Sequence, residues 1–273
     1  MRRCAAKMAR AAAAAGFHGA RVTEMHNVGD ICLLRLGLEL PEDALSTTAK
    51  PFSFAPGQWV DYYIPECDSV GGFSIVSSPD ALPDCLDLAV KFSANSKAAK
   101  FIHHDQQAGD LVFLRSGGDV HWDPVSDPAS ASLLLAGGIG ITPFLSMCSR
   151  LHNNIGKTHS RIALVHSARR LENGDDTIRW PEQDLLAKLG DNKQIRIETL
   201  RTDGTCAGRI DEASVERALQ FLQREGGREG PDVPEGPVRP FVCGPEGFVS
   251  TASSLLVAGF GFHEEDLLIE KWW

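Results

Sequence analysis

LLLAGGIGITPF, running from Leu133 to Phe144, joins a buried-strand pattern to a helix start through a glycine turn. Leu133, Leu134, Leu135 and Ala136 form an unbroken apolar run, the pattern of a central strand covered on both faces. Gly137, Gly138 and Gly140 free the backbone to turn tightly and to approach a ligand without side-chain obstruction. Thr142 and Pro143 suit the N-cap and first helical positions, and Phe144, Met147, Cys148 and Leu151 recur behind them at helical spacing. The amides and positive dipole end of such a helix favour an anion such as a pyrophosphate. The pattern departs from G-x-G-x-x-G. Pro143 stands where the third glycine belongs, and the next strand ends in His166, Ser167, Ala168 and Arg169 without an acid. Read alone, the turn also has a purely structural account as strand-to-helix packing.

Composition bounds the rest. With 273 residues, 43% of them hydrophobic, the chain is long enough for two domains with separate cores. Its 36 acidic residues outnumber 27 basic ones for a net charge of −9, which argues against nucleic acid as a ligand, since phosphates call for a basic face. The seven cysteines are scattered with no C-x-x-C, so neither a disulfide framework nor a thiolate metal or iron–sulfur site is written in the spacing, and a reducing compartment is expected. His103 and His104 beside Asp105 read as a solvated helix end, and no metal site is expected. No apolar run reaches the length of a membrane-spanning helix.

Residues 1–21 differ in kind. Arg2, Arg3, Lys7, Arg10 and Arg21 lie on an alanine-rich background with no acid before Glu24, and Arg3, Lys7 and Arg10 share a helical face. This is the pattern of a mitochondrial targeting segment, although serine is scarce; a disordered basic start is the alternative, with a cytoplasmic location.

From residue 22 to 122 the chain reads as short strands between turns, the signature of an antiparallel β-barrel. Strands are expected at 21–26, 31–40, 58–64, 73–77, 86–92 and 111–115, with one short helix at 97–104. Residues 123–131, DPVSDPASA, have no apolar period and read as a linker. From 132 to 273 strand and helix alternate, which implies right-handed crossovers and a parallel sheet. Strands are expected at 132–136, 161–167, 194–200, 239–243 and 267–270, and helices at 143–153, 180–189, 212–223 and 246–258. The glycine-, proline- and charge-rich stretch 224–240 reads as a surface loop.

Ligands of an open parallel sheet bind beyond the carboxyl ends of its strands. Three such ends carry conspicuous chemistry: Gly137 to Pro143, Cys243-Gly244-Pro245, and Lys271-Trp272-Trp273. The last two also have packing accounts, as a helix start and as core filling. On one shared edge, however, the tryptophan rings become a stacking wall for a planar cofactor.

Taken together, these segments resemble the ferredoxin-reductase-like flavin and nicotinamide oxidoreductases, from about Val22 to Trp273. FAPGQWVDYYIP (Phe54 to Pro65) is similar to that family's P-G-Q strand, and GGFSIVSSP (Gly71 to Pro79) falls where the family has R-x-Y-S. AGGIGITP and VCGPEGF match its pyridine-nucleotide motifs, and IEKWW its glutamate-plus-aromatic close. The resemblance implies an N-terminal flavin-reductase-type antiparallel β-barrel followed by an α/β parallel-sheet nucleotide-binding domain. It implies FAD against Gly71, Gly72, Phe73, Ser74 and Ile75. NAD would lie along Gly137, Gly138, Ile139, Gly140, Ile141, Thr142 and Pro143 and at Cys243, Gly244 and Pro245. Phe73 would stack on the isoalloxazine and Ser74 would hydrogen-bond near its N5. Trp272, with Trp273, would cover the other face, and Cys243 would lie near the nicotinamide C4. Ser74, Cys243 and Trp272 are thus the implied catalytic residues, in a reaction that needs two flat rings held together with water excluded.

Two departures bear on the flavin. Gly71 replaces the family's pyrophosphate-holding arginine, and Lys97 and Lys100 replace a glycine and a small hydroxyl. Losing a bidentate arginine from a buried phosphate weakens binding by about a hundredfold. FMN, or no flavin at all, remains open, with Lys97 or Lys100 as substitute point charges. NADP remains open too, through Arg169 and Arg170. Cys243 has no His or Lys beside it and receives no covalent role, Asp61 and Glu66 are expected to be exposed, and Glu270 reads equally as a strand-end charge or an orienting group. The function implied is hydride transfer from a nicotinamide nucleotide to a flavin and onward to an unknown acceptor, a protein or a diffusible molecule. The alternative is an NAD-binding module with a weak or absent flavin site, acting in redox sensing or as an interaction subunit.

Overall fold

The computed structural model describes residues 12, 14–39, 51–127, 131–169, 193–202, 209–223 and 237–271. The chain divides into two compact units, Met1–His121 and Trp122–Trp273. The expected helix at 180–189, Arg170, most of the loop at 224–240, Trp272, Trp273 and nearly all of the basic leader lie outside the described residues.

The first unit is a six-stranded antiparallel sheet in the order β4-β3-β6-β1-β2-β5. Its strands are β1 (His18–Val28), β2 (Ile31–Leu38), β3 (Trp59–Ile64), β4 (Ser69–Ser74), β5 (Leu86–Lys91) and β6 (Leu111–Gly117). A bridge from Ile75 to Leu88 joins the end of β4 to β5 and closes the sheet. In β3 every second residue points inward, burying Val60, Tyr62 and Ile64, as the period of a strand with one apolar face requires. Helix α1 (Lys97–His104) caps this core with Ala98, Ala99 and Ile102. It starts at Ser96, whose hydroxyl accepts from the Ala99 amide at 3.1 Å.

Three expectations need correction here. β1 begins at His18, so residues 18–21 belong to the barrel: Ala20 is fully buried and Arg21 pairs with Glu39. β4 begins at Ser69, before the glycine pair instead of after it, because Gly71 and Gly72 are ladder positions opposite Tyr62 and Asp61. Asp61 is not left to solvent, since Arg115, directly across on β6, pairs with it.

The second unit is a five-stranded sheet in the order β11-β10-β7-β8-β9, parallel throughout. Its strands are β7 (Ala131–Gly137), β8 (Arg161–Arg169), β9 (Ile195–Thr202), β10 (Val238–Cys243) and β11 (Leu268–Glu270), and its described helices are α2 (Thr142–Asn153), α3 (Glu212–Gln223) and α4 (Glu246–Phe260). Every residue of β7 is buried, as expected of a central parallel strand covered on both faces. The chain runs from β7 through β8 to β9, then crosses to β10 on the other side of β7. The strand order reverses between β7 and β10, where open sheets of this kind form their ligand crevice. Most of the expected linker is tied to this unit: Asp123 accepts from Arg150 at 3.1 Å, and the Pro124 carbonyl accepts from Thr158 at 2.8 Å and Ser160 at 3.0 Å.

Candidate functional site

The parallel register between β7 and β10 sets Ala136 opposite Cys243, so the turns that follow the two strands are neighbours. Their contact depends on Gly140. A Cβ there would come within 2.4 Å of the Cys243 carbonyl oxygen and 2.7 Å of the Gly244 amide nitrogen. Gly137 and Gly244 form a second contact, because a Cβ on either would meet the Phe248 ring, at 2.6 and 2.8 Å. Phe248 lies in the first turn of α4, and its ring therefore rests on both turns. Sequence reading placed Phe248 in a motif without giving it this role.

Gly138 differs from its neighbours. It is exposed, has a left-handed φ of +54°, and nothing stands within 4 Å of where its Cβ would be. The turn therefore offers open backbone at Gly138 and tight backbone packing at Gly140, both without side-chain obstruction.

Thr142 is not the N-cap. Residues Gly138–Ile141 coil into a 3-10 turn that feeds directly into α2, so Thr142 is already helical and its hydroxyl donates to the Ile139 carbonyl at 3.0 Å. No side chain caps the helix start. The amides left open therefore belong to the start of the 3-10 turn and not to α2, whose Thr142 amide already donates to the Ile139 carbonyl; with the helix dipole behind them, they suit a phosphate oxygen. Pro143 fits the first turn because it has no amide to leave unpaired.

Cys243 is fully buried, and burial, with Glu270 beside it in the ladder, pushes its thiol up to about 12. It is an uncharged packing group at neutral pH. Pro245 precedes α4 in extended conformation, and Val249 donates to its carbonyl at 3.0 Å. Glu270 is buried, not a solvated strand end. At the end of β8, Ser167 is half-buried and Arg169 exposed. His166 is buried, and its Nε2 lies 2.9 Å from the Gly138 carbonyl.

The residues fit a nicotinamide dinucleotide: open Gly138 backbone at the uncapped start of the 3-10 turn, the helix behind it, and a topological switch point beside them. The barrel fits FAD less well. A Cβ on Gly71 would stand 2.6 Å from the Phe73 ring and 2.8 Å from the Ala98 methyl, so the place of an arginine stem is already filled. Phe73 is half-buried and meets Tyr62 edge-on at 5.9 Å. The Lys97 ammonium donates to the Cys67 carbonyl, and Lys100 is exposed. Ser74 is buried at the end of β4. A flavin ring could be met at Phe73 and Ser74, but the pyrophosphate arm of FAD has no anchor at Gly71. Among the described residues, no group of three His, Cys, Asp or Glu side chains is placed to hold a metal ion, and no helix is long and apolar enough to cross a membrane.

Comparison with known proteins agrees with this architecture. No family model matches the chain. The oxidoreductase NAD-binding domain-containing protein 1 of Danio rerio is 33% identical over 232 residues, covering 81% of this chain and 82% of that protein. Among solved structures, the Amycolatopsis cytochrome P450 reductase GcoB superposes with a TM-score of 0.67 at 19% identity, over 93% of this chain and 69% of that one. The flavohem-like FAD/NAD-binding domain of the Vibrio cholerae nitric oxide dioxygenase superposes with a TM-score of 0.62 at 16% identity, over 93% and 98%.

Proposed function

The chain belongs to the family of oxidoreductase NAD-binding domain-containing protein 1, and on that premise we propose that it is an NAD(P)H-dependent oxidoreductase of the flavin-linked kind. The observation that carries this reading is the seating of Gly140 against the Cys243–Gly244 backbone at the switch point of the parallel sheet. In it, the backbone from Gly137 to Thr142 receives the pyrophosphate, the start of the 3-10 turn supplies amides and α2 behind it the dipole, and Cys243 to Pro245 line the nicotinamide end. The bound nucleotide supplies a hydride. The chain's own contribution is orientation and exclusion of water: Gly140 and Gly244 allow close approach, and the neutral Cys243 thiol adds bulk without charge. On the barrel, Phe73 and Ser74 are the residues proposed to meet the acceptor's ring. The onward acceptor is a protein or a diffusible molecule.

Titration of the full chain with NADH tests the nucleotide half, with Gly140→Val as the variant that loses binding. Bleaching of added FMN or FAD by NADH, without air, tests the redox half. A protein that binds NADH and never transfers its electrons to either flavin would replace this reading with that of a nucleotide-binding module, which the filled space at Gly71 favours. We further propose that the basic leader directs the chain to mitochondria. A reporter fused to residues 1–25 that stayed diffuse in the cytosol would refute this.

A further inference from the structure

We propose that His166 is a positioning residue for the nucleotide turn, holding the Gly138–Ile139 peptide in the one orientation that offers the Ile139 amide to a pyrophosphate. The inference rests on the reading of the turn given above, and goes beyond it by naming what selects the turn's shape. Gly138 by itself selects little. With φ at +54°, open space around it and no Cβ, it tolerates either orientation of the peptide that follows. To the extent that this one peptide turns over, a ligand that needs one orientation binds with its affinity reduced by the population of the other.

The His166 imidazole adds a side-chain restraint to the one that the 3-10 turn itself gives. It sits on β8 directly opposite Ala136 of β7, two residues before Gly138, and is 5% exposed. Its Nε2 is 2.9 Å from the Gly138 carbonyl oxygen. A carbonyl only accepts, so Nε2 carries the proton and the ring is the neutral Nε2–H tautomer. Burial disfavours the charged form, and Arg201 on β9 adds to this, while the bond to Gly138 opposes it; the balance brings the ring down to about 4. The donor is therefore present, uncharged, throughout the neutral range. The peptide between Gly138 and Ile139 is trans, so its carbonyl and amide point in opposite directions. Fixing the carbonyl toward His166 fixes the Ile139 amide away from β8. An anion can then take that amide as a donor without first turning the peptide.

Three substitutions in the full chain test the clamp. His166→Gln keeps an N–H near the Nε2 position; His166→Asn carries the same amide one methylene short; His166→Leu removes the donor and keeps the site apolar. Removal of the partner should raise the NADH dissociation constant about tenfold. We expect that rise in the Asn and Leu variants, largely rescued in Gln, with no matching order in melting temperature. If His166→Leu fails to fold, the Gln and Asn pair decides, since the two differ only in reach. Equal NADH affinity in wild type, Gln and Asn, with binding lost in Gly140→Val, would overturn the clamp and leave the turn as the site. Unchanged affinity in Gly140→Val as well would instead remove the turn from nucleotide binding.

Discussion

Gly140 and Cys243, more than a hundred residues apart in sequence, meet backbone to backbone: a methyl on Gly140 would overlap the Cys243 carbonyl oxygen at 2.4 Å. Neither partner can yield as a flexible side chain would, because Cys243 is held in β10 and Gly140 in the 3-10 turn between β7 and α2. Gly140→Ala must therefore separate the two turns. We expect a loss of about 1–3 kcal/mol and weaker NADH binding, seen as a lower melting temperature and a raised dissociation constant. Gly247→Ala is the control for stability: its Cβ would meet nothing within 4 Å, and it sits in a helix, where alanine is preferred. It should melt no lower than wild type.

At Gly71 the obstruction is made of side chains, the Phe73 ring and the Ala98 methyl. Restoring the family's arginine by Gly71→Arg should fail to tighten FAD and should destabilise the barrel, because the stem has to displace a ring that packs on Tyr62. The wild-type protein should take up added flavin weakly and release it on desalting, leaving little absorbance near the flavin bands. Stoichiometric FAD surviving that step would show an anchor elsewhere in the barrel.

What the sequence revealed and what it hid follow from how far each feature reaches along the chain. LLLAGGIGITPF is a local pattern, and the strand, turn and helix it implies are found at residues 131–153. Thr142 has the residue type of an N-cap but is already helical, because the preceding residues coil into a 3-10 turn, which no single residue signals. Gly71 and Gly72 fall just before the strand expected at 73–77, yet they are strand positions where Gly71 makes room for a ring. Asp61 was expected in solvent because its partner, Arg115, is on a strand far along the chain. His166 and Phe248 acquire their roles only through the register of β7 with β8 and the approach of α4, so neither role was visible beforehand.

Cys243 should behave as an inert thiol. It is fully buried, and desolvation with the neighbouring Glu270 pushes it up to about 12, so almost no thiolate forms at pH 8. Alkylation of the native protein, followed by mass spectrometry, should label the half-buried Cys67 and Cys85 well before Cys243, with Cys243 labelled only after unfolding. Early labelling of Cys243 would mean that the β10 end opens readily.

His166 predicts the pH dependence of stability. Its ordinary value of 6.5 falls to about 4 in the folded chain, first through burial and then through Arg201, against the bond to Gly138. Between those values the unfolded chain binds a proton that the folded chain does not. Stability is therefore full above pH 6.5 and declines as pH falls toward 4, by about 3 kcal/mol across the window. His166→Gln cannot titrate and removes this component. Denaturant unfolding at a series of pH values from 7 to 4 should show a shallower loss in the Gln variant, the gap between the two slopes opening as pH falls below 6.5. Parallel curves for wild type and His166→Gln over that range would show that burial does not lower the imidazole in the folded protein.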